Sequence, residues 1–171
     1  MRALGPGSVS SFLKIILDVV YFALWAVVVV LALVTLAALL LGFNPSLLQH
    51  VTISGAPGLA PMRALMLLAY ELSVAGVLVI VHRLRQIFST LTAGDPFHPA
   101  NVNRLRLIGL MLAALELGRY LVWGVSRLAP VVREVKPNFS LTAWFSVLVV
   151  FVLAEVFREG ARLRREAELT I

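Results

Sequence analysis

The sequence LIGLMLAALELGRYLVWGV, from Leu107 to Val125, is an apolar segment long enough to cross a membrane, and it carries Glu116 and Arg119 near its middle. A charged side chain at the centre of a spanning helix costs roughly 2.5 to 3.5 kcal/mol, so such residues usually face protein or water and have partners. We therefore expect the other helices of the chain to enclose this segment.

The composition of the chain is that of a membrane protein with one domain. Of its 171 residues 60% are hydrophobic and only 14% are charged, and the mean hydropathy is +0.95. The net charge of +6 and the pI near 10.8 would suggest nucleic-acid binding in a soluble protein. Membrane proteins, however, concentrate Lys and Arg in their cytoplasmic loops. We therefore expect no direct contact with nucleic acid.

The pattern predicts an all-α fold, an integral membrane four-helix bundle in which the second and fourth helices extend beyond the membrane. The predicted helices cover residues 12–42, 62–91, 104–127 and 139–166, and loops containing Gly, Pro or charged residues separate them at 43–61 and after Pro130. The first is the clearest, because Val19 to Gly42 are 24 residues without a charge. At 1.5 Å per residue they cross a hydrocarbon core of about 30 Å.

The connection between the second and third helices predicts an ordered turn. Gly94 is expected to end the second helix in the left-handed backbone region, and the two prolines after it prevent the helix from resuming. Asn101 or Asn103 is expected to cap the third helix. Phe97 needs a surface to cover, and we expect that surface on the C-terminal helix, through Phe157 and Leu163.

The distribution of positive residues predicts the orientation of the chain. With the N terminus inside, ten of the fifteen Lys and Arg residues lie on the cytoplasmic side, four lie outside, and Arg119 lies within the membrane. This excess favours cytoplasmic N and C termini. We expect a multi-pass protein of the bacterial inner (cytoplasmic) membrane.

The third helix carries small and polar residues at steps of three or four, which form one stripe that a neighbouring helix can approach closely. The stripe consists of Gly109, Ala113, Glu116, Tyr120 and Gly124. In an antiparallel pair, Glu71 of the second helix lies at a depth similar to that of Arg119. We predict a buried polar cluster of Glu71, Glu116, Arg119 and Tyr120. Its role is either structural, fixing the register of the helices, or functional, as a site for a ligand, an ion or a proton.

Other chemistry has little support in the sequence. The chain has no cysteine, and His50, His82 and His98 lack the spacing of metal ligands. No Gly-rich phosphate motif and no arrangement typical of a catalytic site is present. We expect neither an enzyme nor a bound cofactor.

Residues 91–109, LTAGDPFHPANVNRLRLIG, and residues 154–171, AEVFREGARLRREAELTI, resemble the bacterial family called domain of unknown function 2975. The matching positions are Gly94, Pro96, Phe97, Asn101, Arg104 and Leu105 in the loop, and Phe157, Gly160, Leu163, Glu166 and the final Leu-Thr-Ile in the tail. The resemblance spans nearly the whole chain. It implies a four-helix inner-membrane protein, commonly encoded beside a small helix-turn-helix regulator of the Xre type, and it carries over no catalytic residues.

The ordered turn and the two helical extensions are more than four membrane crossings require. We interpret them as a docking surface for a soluble cytoplasmic partner, such as a helix-turn-helix regulator, which makes the chain a membrane-tethered regulatory protein. The predicted docking residues are Phe97, Asn101, Phe157, Arg158, Arg162, Leu163, Arg164 and Arg165. The arginines also suit anionic membrane lipids. The alternative is a small transporter or ligand sensor, acting as a homo-oligomer, that uses Glu71, Glu116 and Arg119.

Overall fold

The computed structural model describes residues 9–43, 60–128 and 139–169 of the chain. Four helices account for nearly all of them, and no strand occurs in these ranges. The helices are α1 (Val9–Phe43), α2 (Ala60–Thr92), α3 (Pro99–Leu128) and α4 (Leu141–Glu168). The predicted all-α fold is confirmed, and most of the residues of the loops predicted at 43–61 and after Pro130 lie beyond the described ranges.

The turn between α2 and α3 has the predicted geometry at Gly94. This residue adopts a φ of 83°, and the N–H groups of Gly94 and Asp95 donate to the carbonyl oxygens of Leu91 (3.1 Å) and Thr90 (3.0 Å). These two bonds form a Schellman motif, which satisfies the last carbonyl groups of α2 and needs a residue that tolerates a positive φ.

The start of α3 differs from the prediction, because the helix begins at Pro99 and neither Asn101 nor Asn103 is its cap. Proline suits the first position of a helix, where its missing N–H would have no partner in any case. The N–H of Ala100 donates to Nδ1 of His98 at 3.2 Å, so the histidine side chain satisfies a donor of the first turn.

Each helix packs against the next one in the chain: α1 on α2, α2 on α3, and α3 on α4. Within the described ranges α1 makes no packing contact with α3 or α4, so α3 has two helical neighbours. The expectation that all the other helices enclose it is wrong. Instead, α1 packs on a side of α2 that carries Arg85. This arginine donates to Asp18 of α1 at 2.5 Å, and its guanidinium lies 4.3 Å from the ring centre of Tyr21.

The contacts between helices place the start of α1, the end of α2, the start of α3 and the end of α4 at one end of the molecule, which we call the turn end. The hydrophobic core lies in that half, where Ile87 of α2, Leu105 and Ile108 of α3 and Ala154 of α4 are buried together. The three helices α2, α3 and α4 therefore meet near the turn, and we call the opposite end the far end.

Three of the described helices are long and apolar enough to cross a membrane: α1 over Phe12–Leu40, α2 over Leu65–Thr92 and α4 over Leu141–Glu168, with mean hydropathies of 2.8, 2.0 and 1.9. Many of their large apolar side chains are exposed, as lipid contact requires. The length and composition of these helices indicate a membrane protein. The crossing of α3, which carries Glu116 and Arg119, stays a prediction, as do the number of crossings, the identity of the membrane and the orientation.

Candidate functional site: a lateral cavity and the turn module

A cavity of about 660 Å³ opens between α2 and α4 in the far half, with α3 as its floor; we call it the lateral cavity. In the turn half the corresponding space is filled by the hydrophobic core. The cavity is lined by Met66, Ala69, Tyr70, Ser73, Val74 and Val77 of α2, by Leu112, Leu115, Glu116, Arg119 and Val122 of α3, and by Ala143 and Ser146 of α4. The small side chains of α4 leave this space open.

Glu116 is the buried charge of this site. It is only 7% exposed, and its Oε1 accepts from Nη2 of Arg119 and from the hydroxyl group of Tyr120, both at 2.7 Å. The three residues lie at steps of three and four on α3, so one helix brings them together without help from a neighbour. The guanidinium of Arg119 reaches outward, with 45% of its side chain exposed. The structure thus brings together Glu116, Arg119 and Tyr120.

Glu71 does not join them. The pairs Gly76 with Leu115 and Thr90 with Asn101 define the register of α2 and α3, and they place Glu71 at the depth of Arg119, as predicted. His82 of α2 contacts Tyr21 of α1. Glu71 lies three helical turns before His82, so it is on the same side of α2, the side that faces α1. It is not among the residues that line the cavity. Depth in a membrane follows from counting residues, whereas the rotation of a helix depends on its packing partners.

One of the two glycines in the predicted small-residue stripe on α3 lies at a close contact with α4. A side chain at Gly109 would lie 3.1 Å from the ring of Phe151 of α4, so the absence of a side chain allows this contact. Gly124, at the far end of the stripe, has no neighbour within 4 Å of the corresponding position. The close approach of α4 to α3 therefore occurs toward the turn end, where the helices share the core.

Asn101 holds the turn together and does not take part in a docking surface, because it is fully buried. Its Nδ2 donates to Oγ1 of Thr90 at 2.8 Å and to the carbonyl oxygen of Pro96 at 3.0 Å, and its Oδ1 accepts from Arg104 at 2.8 Å. Arg104 also donates to the carbonyl oxygen of Gln86 at 3.2 Å. One amide side chain thus connects the end of α2, the turn and the start of α3, and the docking role predicted for it is wrong.

The charged end of α4 is attached to the turn. The rings of Phe97 and Phe157 lie 5.6 Å apart, which confirms the predicted contact, and Arg164 forms an ion pair with Asp95. A Cβ atom at Gly160 would lie 2.5 Å from the ring of Phe97, so only glycine permits this approach. Leu163, the other residue expected to cover Phe97, is 54% exposed and lies on the side of α4 opposite to the core residue Ala154. We call residues 86–105 and 154–168 the turn module.

A groove of about 410 Å³ lies on the outside of the turn module, between α3 and α4; we call it the arginine groove. It is lined by Pro99, Val102 and Asn103 at the start of α3 and by Arg158, Glu159, Ala161, Arg162 and Arg165 of α4. The arginines lie at steps of four and three on one side of α4, which the sequence alone shows. The wall formed by α3 was missed, because it depends on how the two helices cross.

The described residues contain no group of three His, Asp or Glu side chains placed to hold a metal ion. The lateral cavity and the arginine groove both offer polar groups to another molecule. The lateral cavity has one buried carboxylate and one arginine, and the arginine groove has three arginines and one carboxylate.

A comparison with protein families gives a match over residues 47–171 to the family described as "Protein of unknown function (DUF2975)". The chain belongs to this family. The match begins after α1, so the DUF2975 region contains α2, the turn, α3 and α4, which are the elements that form both grooves. No match was found among curated proteins or among solved structures.

Membership in the DUF2975 family identifies no activity, but the structure gives a role to several of the residues that the loop and tail motifs share with it. Gly94 terminates α2, Asn101 connects three segments, and Gly160 admits the ring of Phe97. These residues build the turn module. The motifs of the DUF2975 resemblance therefore describe a packing unit, and the polar residues of the lateral cavity lie outside them.

Proposed function

We propose that this DUF2975 protein is a membrane-anchored docking protein, whose turn module binds an acidic surface of a soluble cytoplasmic partner at the arginine groove. The observation that carries the proposal is the attachment of the charged end of α4 to the turn through Asp95–Arg164, Phe97–Phe157 and Gly160. A helix end that only ended a membrane crossing would need no such attachment. Here it creates a fixed groove between two helices.

The charges of the groove favour an acidic partner more specifically than a uniformly basic tail would. Residues 155–168 contain four arginines and four glutamates, so this part of α4 has no net charge at pH 7. The lining of the groove, in contrast, has three arginines and one glutamate, so the positive charge is concentrated there. Arg158 pairs with Glu155, and Arg162 pairs with Glu159 (2.6 Å) and Glu166 (3.5 Å), which holds the guanidinium groups in place. Arginine presents a planar set of donors that suits carboxylates, and the N terminus of α3 adds a partial positive charge.

The experiment measures the binding of the partner to the detergent-solubilised protein. A pull-down identifies candidate soluble partners, including a helix-turn-helix regulator, and the dissociation constant is then measured with the purified partner. We expect the triple substitution Arg158→Gln, Arg162→Gln, Arg165→Gln to weaken binding at least about tenfold at low salt and to reduce its salt dependence. The control is Lys14→Gln, which removes an exposed cation near the start of α1, at the turn end of the molecule. Equal binding by the triple variant and the control would refute the proposal.

The alternative, a small oligomeric transporter or ligand sensor, is supported by the lateral cavity and its buried Glu116. Proton-coupled uptake into liposomes tests it. Glu116 lines the cavity and Glu71 does not. Transport through this site therefore predicts that Glu116→Gln abolishes uptake, whereas Glu71→Gln leaves it largely unchanged. Such uptake, together with the failure to recover a soluble partner, would reverse our ranking of the two functions.

A further inference from the structure

We propose that the lateral cavity is a binding site for one uncharged amphiphile, a molecule with a single long apolar chain and a small head group that carries hydroxyl or carbonyl oxygens. The inference concerns the far half of the molecule and is independent of docking at the arginine groove.

The distribution of side chains along the cavity matches such a molecule. Val77 and Leu112 line its end nearest the core, while Tyr70 and Arg119 lie toward the far end, and Glu116 lies between them. The apolar end suits a hydrocarbon chain, and the polar groups suit a small head group. A volume of about 660 Å³ lies within the range of about 300 to 1,000 Å³ that is usual for small-molecule sites.

The length of the cavity suits an extended chain. From Leu112 to Val122 the floor rises by about 15 Å, at 1.5 Å per residue. A hydrocarbon chain can lie along this floor between α2 and α4. A helix of a second copy is the competing occupant, and the substitutions on α4 described below distinguish the two.

The charge of the lining favours a neutral head group. Its two charged residues, Glu116 and Arg119, are already paired with each other at 2.7 Å, so the lining has no net charge. An anion would lie near the carboxylate, a cation would lie near the guanidinium, and either would lose its hydration on entry. The hydroxyl groups of Ser73 and Ser146 donate to the carbonyl oxygens of Ala69 and Thr142, so their oxygen atoms are oriented as acceptors for a ligand hydroxyl group.

The test compares three probes that share one 18-carbon chain and carry a neutral, a negative and a positive head group at pH 7: monooleoylglycerol, oleate and oleylamine. Binding to the purified, detergent-solubilised protein is measured by equilibrium dialysis with radiolabelled probes. We expect one saturable site per chain that binds monooleoylglycerol at least about tenfold more tightly than oleate or oleylamine. Equal affinity for all three would show that acyl chains fill the space without recognition, and would overturn the proposal.

Substitutions on α4 locate the site. Ala143→Phe fills the cavity and should abolish saturable binding, whereas Val152→Phe adds a ring on an exposed, lipid-facing side of the same helix, where the residue is 54% exposed, and should change nothing. Circular dichroism of both variants checks that the helices are retained. If Ala143→Phe instead converts a dimer into a monomer by light scattering, the occupant is a second copy and the proposal is wrong.

Substitutions on α3 test the charge argument even if the absolute affinities are low. Glu116→Gln leaves a net positive lining and should shift the preference toward oleate by at least about tenfold. Arg119→Gln leaves a net negative lining and should shift it toward oleylamine. A preference for monooleoylglycerol that is the same in both variants and in the natural chain would refute recognition by the Glu116–Arg119 pair.

Discussion

Replacing Gly160 by alanine tests whether the charged end of α4 is held against the turn. The new Cβ would lie 2.5 Å from Cδ1 and 2.6 Å from Cε1 of Phe97. Carbon atoms in contact are normally about 3.5 to 4.0 Å apart, so the ring or the helix must move by about 1 Å. Overpacking of this kind costs about 1 to 3 kcal/mol. Against this, alanine gains about 0.5 to 1 kcal/mol over glycine inside a helix.

Gly118→Ala on α3 separates these two effects. Gly118 is also inside a helix, but nothing lies within 4 Å of its Cβ position, so its substitution gives only the gain in helix propensity. We expect Gly160→Ala to be less stable than Gly118→Ala by about 1 to 3 kcal/mol in the free energy of unfolding. Unfolding in mixed micelles of SDS and a mild detergent, followed by circular dichroism, measures that difference.

Hydrogen exchange locates the damage. Gly160→Ala should accelerate exchange in residues 93–101, because the displaced Phe97 loosens the turn, while Gly118→Ala should leave this segment unchanged. The further substitution Phe97→Leu removes the ring and should recover part of the stability lost in Gly160→Ala, which gives a double-mutant cycle with a non-zero coupling energy. Equal stability of the two alanine variants, with unchanged exchange at residues 93–101, would refute the attachment of α4 to the turn.

Three other predictions concern polar contacts. Arg119→Gln should destabilise the protein. Breaking a buried ion pair costs about 3 to 5 kcal/mol, and the loss should be smaller here because this arginine is 45% exposed. In SDS unfolding, Glu116→Gln in the same chain should recover part of the loss, and additive losses would argue against coupling. Asn101→Leu should cost about 1.5 to 4.5 kcal/mol, at about 0.5 to 1.5 kcal/mol for each of the three hydrogen bonds lost by half-buried partners, and it should accelerate exchange throughout the turn. Asp18→Asn should weaken the contact of α1 with Arg85 by about 1 kcal/mol or less, because both side chains are partly exposed, and the loss should shrink at high salt.

The helices and the turn were predictable from the sequence because their signals are local. Runs of apolar residues fixed the four helices to within a few residues, apart from the start of α3, and Gly94 followed by proline identified the end of α2. The helix starts at Pro99, five residues before the predicted 104, because the asparagines expected to cap it lie inside the helix instead. Proline at the first helical position is also a local signal, and here it marks the true start.

The composition of the polar site was less predictable, because it depends on rotation as well as depth. Glu116, Arg119 and Tyr120 were grouped correctly, since one helix determines their spacing. Glu71 was grouped with them on depth alone. Arg85, on nearly the same side of α2 as Glu71, reaches Asp18 of α1, so the Glu71 side of α2 faces α1. The packing of α1 on α2, which no local sequence pattern shows, thus decides the surroundings of this carboxylate.

The two halves of the α2–α3–α4 unit are held together by different kinds of contact, and this separates stability from binding. In the turn half the contacts cross between elements: Asn101 bonds to three segments, and the shared core joins three helices. In the far half Glu116 accepts its two hydrogen bonds from residues of α3 itself. Substitutions in the turn half should therefore act mainly on unfolding. Ala143→Phe leaves both the turn-half contacts and the Glu116–Arg119 pair in place, so it should change what the cavity binds while the fold is retained.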